Sequence, residues 1–329
     1  MVATEVQPQA IDFETVPTVS VIVPAYNAAK YIGEALESVL NQTVTCHEII
    51  VINDGSPDTD ELERKLQPFV SRVRYIKQEN RGAAAARNIG IHASRGKLLA
   101  FLDADDKWSS KFLAKQIEFL ERNQADLVYA DALLIGDSPG AGRTFMQLQP
   151  SRGAVTAEKL LAVQVAVLTS TVVARKQPIL DAGLFDETLR RGQDFDLWFR
   201  LAKSGARLVY QRKVLAEHRI VQTGLSGDMS SQLQRSLTVL EKIRAKCELT
   251  PSEEAALQGA LNVTLSEVAL EDGKEKLRER DFEGALKSLR QSMRRRQSWK
   301  VSLIWLGLRV APELLWRIYV RRTISSGNY

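Results

Sequence analysis

Three carboxylates fall within four residues in Leu102-Asp103-Ala104-Asp105-Asp106. Carboxylates this close repel one another, and a divalent cation relieves the cost. Oxygen donors of this hard type suit Mg2+ or Mn2+. A cation held there that also touched a diphosphate would stabilise a departing nucleotide. The same residues also read as a solvated acidic turn capping a helix that starts near Ser109. A fourth acid, Asp54, stands in Ile52-Asn53-Asp54-Gly55-Ser56. Its carboxylate can accept a hydrogen bond from the N–H of a base, which is how uracil would be read. The plainer reading is an Asp-Gly turn. Pro24, Ala25, Tyr26 and Asn27 would set backbone groups and an aromatic ring against the same base. In Asn80-Arg81-Gly82, four alanines, then Arg87-Asn88, Gly82 suits a tight turn and Arg87 reaches toward a diphosphate, or else is a surface arginine.

The elements that must gather these residues are legible around them. Val19–Val23 is a β-branched run stopped by Pro24. Tyr31, Ile32, Ala35, Leu36, Val39 and Leu40 recur at helical spacing. Glu48–Ile52 reads as a strand running into the Asn53–Ser56 turn. Leu62, Leu66, Phe69 and Val70 mark a helix. Val73–Lys77 is predicted as a strand, Ala83–Ser94 as a helix, Lys97–Leu102 as a strand, Ser109–Asn123 as a helix and Asp126–Ala130 as a strand. Such alternation predicts an α/β fold with a doubly wound, mostly parallel sheet flanked by helices. Ligands of such sheets bind at the carboxyl ends of strands, which is where the acids stand. Asp137–Gly153 reads as an irregular loop, Leu160–Ala174 as a buried apolar stretch and Asp194–Ala202 as a helix. Beyond about Gly227 the pattern is helical throughout. Gly273–Met293 has the spacing of one helical hairpin of a tetratricopeptide-type repeat, and one such unit cannot bury its own face. It reads as a docked extension.

Composition narrows the classes. The chain has 329 residues, 44% hydrophobic and 26% charged, enough for one large domain and an extra module. Its two cysteines, Cys46 and Cys247, form no disulfide framework or zinc spacing, as suits a reducing, cytoplasmic compartment. The polar stretch Met1–Thr18 lacks the basic start and apolar centre of a signal peptide and reads as a loose tail. There is no G-x-G-x-x-G. Gly96-Lys97 is preceded by Ile91 where a phosphate loop needs glycine, and followed by Leu98 where it needs Ser or Thr. No G-x-S-x-G elbow exists, and His47, His92 and His218 show no ligand spacing. No nucleic-acid-binding motif accompanies the basic C-terminal end, so no nucleic acid partner is expected.

Together these stretches resemble family 2 of the glycosyltransferases, enzymes of the GT-A fold. The resemblance rests on residues 19–27 (VSVIVPAYN), 49–56 (IIVINDGS), 80–90 (NRGAAAARNIG), 99–108 (LAFLDADDKW), 183–186 (GLFD) and 192–201 (GQDFDLWFRL). It covers about Val19 to Ser226. It implies a tail over 1–18, a catalytic domain over 19–228 and a helical extension over 229–329. It also implies a nucleotide-sugar donor, here a UDP-sugar, a sugar, lipid-linked or other hydroxyl acceptor, Mg2+ or Mn2+, and inversion at the anomeric carbon. Carried over residue by residue, the base reader falls on Asp54, and the ribose and metal motif on Asp103, Asp105 and Asp106. Asp105 and Asp106 are expected on the metal and Asp103 nearer the ribose. The catalytic base falls on Asp194, with Gln193 where the family has Glu, and Asp196 is the second candidate. As a residue, Asp194 also reads as the N-cap of its helix. In the family's Tyr-Arg-x-His stretch, Arg219 matches and is expected near the diphosphate, His218 takes the Tyr position and Val221 stands where the histidine would be. Two other readings are a silent nucleotide-sugar-binding scaffold and a nucleotidyltransferase, which would release diphosphate.

From Glu271 to Tyr329 the net charge is +7, against −2 for the rest. Val301–Val320 has the length of a bilayer helix, but Arg309, Glu313 and Arg317 interrupt it and Pro312 breaks it. Trp299, Trp305, Trp316 and Tyr319, with Arg294–Arg296, Lys300, Arg321 and Arg322 flanking, predict a helix pair lying on an anionic membrane surface without crossing it. The alternative is a hairpin packed by one apolar face.

Overall fold

The computed structural model describes residues 18–137, 140–220 and 229–325, and the side chains among them except at 229–232 and 320–325. The expected tail (but for Thr18), the family position at Val221 and the boundary near Gly227 lie outside the described residues. The described chain divides into two compact units, one of residues 18–160 and 164–220, the other of 229–325 with 161–163.

The first unit is built on eight strands, β1 (Val19–Ala25), β2 (Glu48–Asp54), β3 (Arg74–Gln78), β4 (Leu98–Phe101), β5 (Lys107–Trp108), β6 (Leu127–Gly136), β7 (Val173–Arg175) and β8 (Leu208–Ile220). They form one sheet in the order β3-β2-β1-β4-β7-β6-β8-β5. β1 pairs in parallel with β2 and β4, β2 with β3, and β6 with β8, while β7 and β5 run antiparallel to their neighbours. The fold is thus α/β with a mostly parallel sheet. Its helices are α1 (Ile32–Leu40), α2 (Thr59–Leu66), α3 (Ala83–Ala93), α4 (Phe112–Arg122), α5 (Phe145–Leu148), α6 (Ala157–Leu161), α7 (Lys176–Asp181) and α8 (Gln193–Lys203).

The continuous apolar runs of β1 and β2 are explained by burial on both faces, as in parallel sheets with helices on each side. Val21, Val23 and Val51 join one core with Ile32, Leu36, Leu62 and Phe112, from α1, α2 and α4. Ile22, Ile50 and Ile52 turn the other way and join Ala84, Ala86, Ile179, Leu197 and Trp198, from α3, α7 and α8. Phe101, Phe185 and Trp198 stack edge to face at the centre of that second core, with centroids 5.6–6.2 Å apart. Residues 160–174 are mostly buried as expected, with Val163 an exception at 67% exposure.

The second unit is helical, with α9 (Met229–Lys246), α10 (Pro251–Arg278), α11 (Phe282–Arg295), α12 (Trp299–Val310) and α13 (Pro312–Ser325). Thr250 and Glu253 close a capping box at the start of α10, with Pro251 at the first helical position. The expected hairpin is α10 and α11, joined at Glu279–Asp281. Gly273 of α10 faces Leu289 of α11, and a Cβ there would sit at an ordinary contact distance of 3.4 Å. Pro312 ends the apolar run at Ala311 and starts α13, as its missing N–H requires.

Candidate active site

The residues singled out for chemistry converge at the carboxyl ends of the parallel strands. β1 ends at Ala25, and exposed Tyr26 and Asn27 follow it. Asn27 takes φ +52° and its amide donates to Ser56 Oγ at 2.6 Å. Asp58 accepts from the Ala29 amide at 2.9 Å. The turns after β1 and β2 are therefore tied to one another.

Asp54 ends β2 and is 3% exposed. Its Oδ1 accepts from Gln78 Nε2 at 2.5 Å and the Arg81 amide at 2.9 Å, and its Oδ2 accepts from the Gly82 amide at 2.8 Å. The carboxylate thus pins the turn that opens α3. Gly55 makes this possible, because it takes φ +61° and a Cβ would meet the Asn80 nitrogen at 2.5 Å. A base N–H read by Asp54 would have to share a carboxylate already holding three donors.

Arg87 is no surface arginine. It is 6% exposed, and its Nη2 donates to Asp103 Oδ1 at 2.5 Å. Its guanidinium carbon lies 5.5 Å from the Phe185 ring centroid. The Nε is buried without a partner. Next along the chain from Arg87, Asn88 donates to the Phe185 carbonyl at 2.9 Å and accepts from its amide at 3.0 Å. Asn88 also donates to Glu187, which pairs with Arg81 at 2.5 Å. This clamp between α3 and residues 185–187 was not read from the sequence, although its two halves lie in the NRGAAAARNIG and GLFD stretches.

The acidic cluster follows β4 and is separated from α4 by β5, so it does not cap that helix, whose N-cap is Lys111. Burial, then the charges of Asp106 and Asp103, push the Asp105 carboxyl up to about 7. Asp106 is fully buried. It accepts from the Arg219 amide at 2.8 Å and lies 2.9 Å from His218 Nδ1. Burial works against a charged His218, but the Asp106 hydrogen bond and the neighbouring acids outweigh it and push the imidazole up to about 9. The His218–Asp106 pair was not foreseen. Arg219 donates from Nε to the Asp105 carbonyl at 3.1 Å, pairs with Glu34 at 3.2 Å and stacks 4.4 Å from the Tyr31 ring centroid.

Among the described residues, no three His, Cys, Asp or Glu side chains are grouped to hold a metal alone. Mg2+ usually uses one or two carboxylates and completes its shell with substrate phosphates and water. The acids fit that mode. Asp105 carries a carboxyl whose ionisation the surroundings resist, while Asp103 is paired to Arg87 and Asp106 to His218.

Asp194 stands in the first turn of α8, but the N-cap is Gly192, in the left-handed region at φ +69°. The capping role read for Asp194 is corrected accordingly. Its Oδ1 accepts from the Phe195 amide at 2.8 Å and its Oδ2 from Thr169 Oγ1 at 3.2 Å. Asp196, the second candidate, is 5% exposed and held by Arg200 Nε and Nη2 at 2.9 and 2.7 Å. Arg200 in turn donates to the carbonyls of Ala182 and Leu184. Asp196 therefore serves the turn around Gly183.

Residues 169–171 form a single 3-10 turn, and it joins the two halves of the site. Thr169 holds Asp194, and Ser170 Oγ accepts from the Asp103 amide at 3.1 Å. The Ser170 carbonyl is itself fixed by Trp108 Nε1 at 2.7 Å. This turn carries no local signal beyond an apolar stretch interrupted by three hydroxyls.

The family model described as Glycosyl transferase family 2 matches residues 20–181. An uncharacterized glycosyltransferase of Rickettsia prowazekii is 30% identical over 261 residues, covering 77% of this chain and 79% of that protein. Another, of Rickettsia bellii, is 28% identical over 260 residues, covering 77% of this chain, and there the chain spans 37% of the relative's length. Two solved structures share the fold. One is a mannosyltransferase of Pyrobaculum calidifontis, PcManGT, in complex with GDP-Man and Mn2+, at TM-score 0.62 and 18% identity, covering 94% of this chain and 85% of that one. The other is Staphylococcus aureus TarS 1-349 in complex with UDP-GlcNAc, at TM-score 0.60 and 18% identity, covering 95% of this chain and 93% of that one.

Proposed function

The chain belongs to glycosyl transferase family 2, and on that premise we propose that it transfers a sugar from a UDP-sugar to an acceptor hydroxyl with inversion. The observation that carries this reading is the turn at 169–171. It fixes Asp194 and Asp103 from consecutive residues, so a base candidate and an acidic nucleotide motif belong to one site. The solved neighbours bound to UDP-GlcNAc and to GDP-Man with Mn2+ support the donor class and the metal.

In this reading Asp194 takes the proton of the acceptor hydroxyl as it attacks the anomeric carbon. Thr169 and the Phe195 amide hold that carboxylate in place. Asp105 would be the principal ligand for Mg2+ or Mn2+, with Asp103 toward the ribose. Asp106, expected beside Asp105 on the metal, reaches it only by exchanging His218. When bound, the cation neutralises charge on the departing diphosphate. Arg87, paired with Asp103, would offer that diphosphate a charge-assisted hydrogen bond, as would Arg219 beside Asp105 and Asp106. Tyr26 and the backbone of Pro24–Asn27 flank the base, and Asp54 holds the turn beside it. We place this activity in polysaccharide or glycoconjugate synthesis, at the cytoplasmic face of the cell membrane, where a lipid-linked acceptor would be met. No helix among the described residues is long and apolar enough to cross a membrane.

Hydrolysis of UDP-sugars by the purified chain with Mn2+ tests the reading. Slow release of UDP is expected without acceptor. Release of inorganic diphosphate would mean nucleotidyl transfer, and binding without any turnover, with or without acceptors, would mean a silent scaffold.

A further inference from the structure

Helix α12 is apolar on two opposite faces, and only one of them is covered. Val301 and Leu308 pack into the helical core with Leu277, Ala285 and Leu289, and Trp305 packs against it. On the other side Trp299, Leu303, Leu306 and Val310 follow one another at spacings of four, three and four residues, which aligns them in a single stripe. They are 70%, 58%, 53% and 78% exposed. Leu314 and Ile318, one turn apart on α13, are exposed as well. A helix that is apolar all round is ordinarily buried all round, and a contiguous apolar stripe in water marks an interaction surface.

The charges around the stripe say what it meets. At 100° per residue, Lys300 borders the stripe on one side and Arg309 on the other. Arg294, Arg295 and Arg296 are exposed just before α12, and Arg317 is exposed on α13. The acid in these two helices, Glu313, is engaged by Arg280. A second copy of the chain docking through the same stripe would bring this cationic border against itself. An anionic partner is selected instead, and one with an apolar interior beneath its charges. Neither α12 nor α13 approaches the roughly 20 apolar residues of a spanning helix, and the break at Ala311–Pro312 separates them.

We propose that α12 lies in the interface of an anionic lipid bilayer. The Trp299-Leu303-Leu306-Val310 stripe faces the acyl chains, and Lys300 and Arg309 meet the headgroup phosphates. This names the surface behind the membrane placement proposed above. It stands or falls without the glycosyl-transfer reading, because vesicle binding is measured with no donor or acceptor present.

The test is flotation of the full chain with vesicles of equimolar phosphatidylglycerol and phosphatidylcholine, beside vesicles of phosphatidylcholine alone. Binding to the anionic vesicles that weakens with salt is expected. Lys300→Gln and Arg309→Gln should each weaken it about fivefold, the usual worth of one basic residue at an acidic surface. Leu303→Ser with Leu306→Ser should weaken it by about tenfold or more, from lost apolar burial. All four side chains point to solvent, so circular dichroism and melting should match the parent chain. Val301→Ala, on the covered face, serves as the variant that loses melting temperature without losing vesicle affinity. Three results would overturn the proposal. The intact chain fails to float, or the Leu303/Leu306 variant floats as well as the parent, or light scattering shows a stable dimer that the same variant dissolves.

Discussion

The two units break the rule of apolar inside and polar outside in opposite directions. In the first, Asp54, Arg87, Asp106 and Asp196 are polar groups at 6% exposure or less. In the second, Trp299, Leu303, Leu306 and Val310 are large apolar side chains in water. An exposed leucine alone means little, whereas buried charges and aligned exposed apolar residues are informative. Each buried charge of the first unit has a partner, and together they organise the carboxyl ends of the strands. The apolar stripe of the second has none within its own unit. Internal pairing of charges thus orders the first unit, while the second leaves apolar surface in water.

Asp194 is a charge of the first unit that belongs to none of these buried ion pairs. Asp194→Asn should lower transfer by roughly 10²–10⁴, the usual loss with a general base, while donor affinity and melting temperature stay put. Steady-state kinetics beside calorimetry decides it, and an unchanged turnover number would remove Asp194 from the chemistry. Asp54→Asn should behave differently. The new NH2 would face either the Gly82 amide or the Gln78 and Arg81 donors, and leaving that side unpaired costs about 1–3 kcal/mol of stability. A loss of UDP affinity with no loss of stability would instead make base reading the main role of Asp54.

Backbone geometry gives a smaller contrast. Gly55→Ala combines a positive φ with a contact at 2.5 Å from the Asn80 nitrogen, and should cost about 1–3 kcal/mol. Leu303→Ala on the exposed stripe should stay within about 0.5 kcal/mol in denaturant titration. Equal losses would mean the stripe is packed in solution.

The smallest effect concerns pH. Without metal, Asp105 holds its proton to about pH 7 in the folded chain, whereas unfolded it releases it near pH 4, at about its ordinary value. The stability it contributes is full below that lower value and is lost as pH rises through about 7. The metal-free chain should therefore lose melting temperature across that window relative to Asp105→Asn, and parallel profiles for the two would contradict the assignment.

How much of this was legible in the sequence follows from range. β1, β2 and α3 carry strong local patterns, and the structure has them within a residue or two. β6 runs on to Gly136, past the expected Ala130, because its pairing with β8 through Ile220 sustains it. β5, β7 and β8 went unread as strands. Two are very short, and β8 (LVYQRKVLAEHRI) groups its apolar and charged residues in blocks without the period of two that marks a strand. The site divides the same way. Asp54, Asp103 and Asp105 could be marked because each follows a readable strand. The partners of Arg87, Asp106 and Asp194 lie 16, 112 and 25 residues away, beyond the reach of any local spacing. Asp196, the second candidate for the base, is instead held by Arg200, a pairing that residue type alone does not reveal.

The most direct test of a nucleotide site at these acids is the thermal stability of the full chain with UDP, with and without Mn2+. At a hundred times its dissociation constant UDP should stabilise the chain by about 2.7 kcal/mol. The gain should persist in Asp194→Asn and be largely lost in Asp105→Asn or when Mn2+ is chelated. Equal stabilisation in all of these, or none in the parent chain with Mn2+, would contradict a metal-assisted nucleotide site at the end of β4.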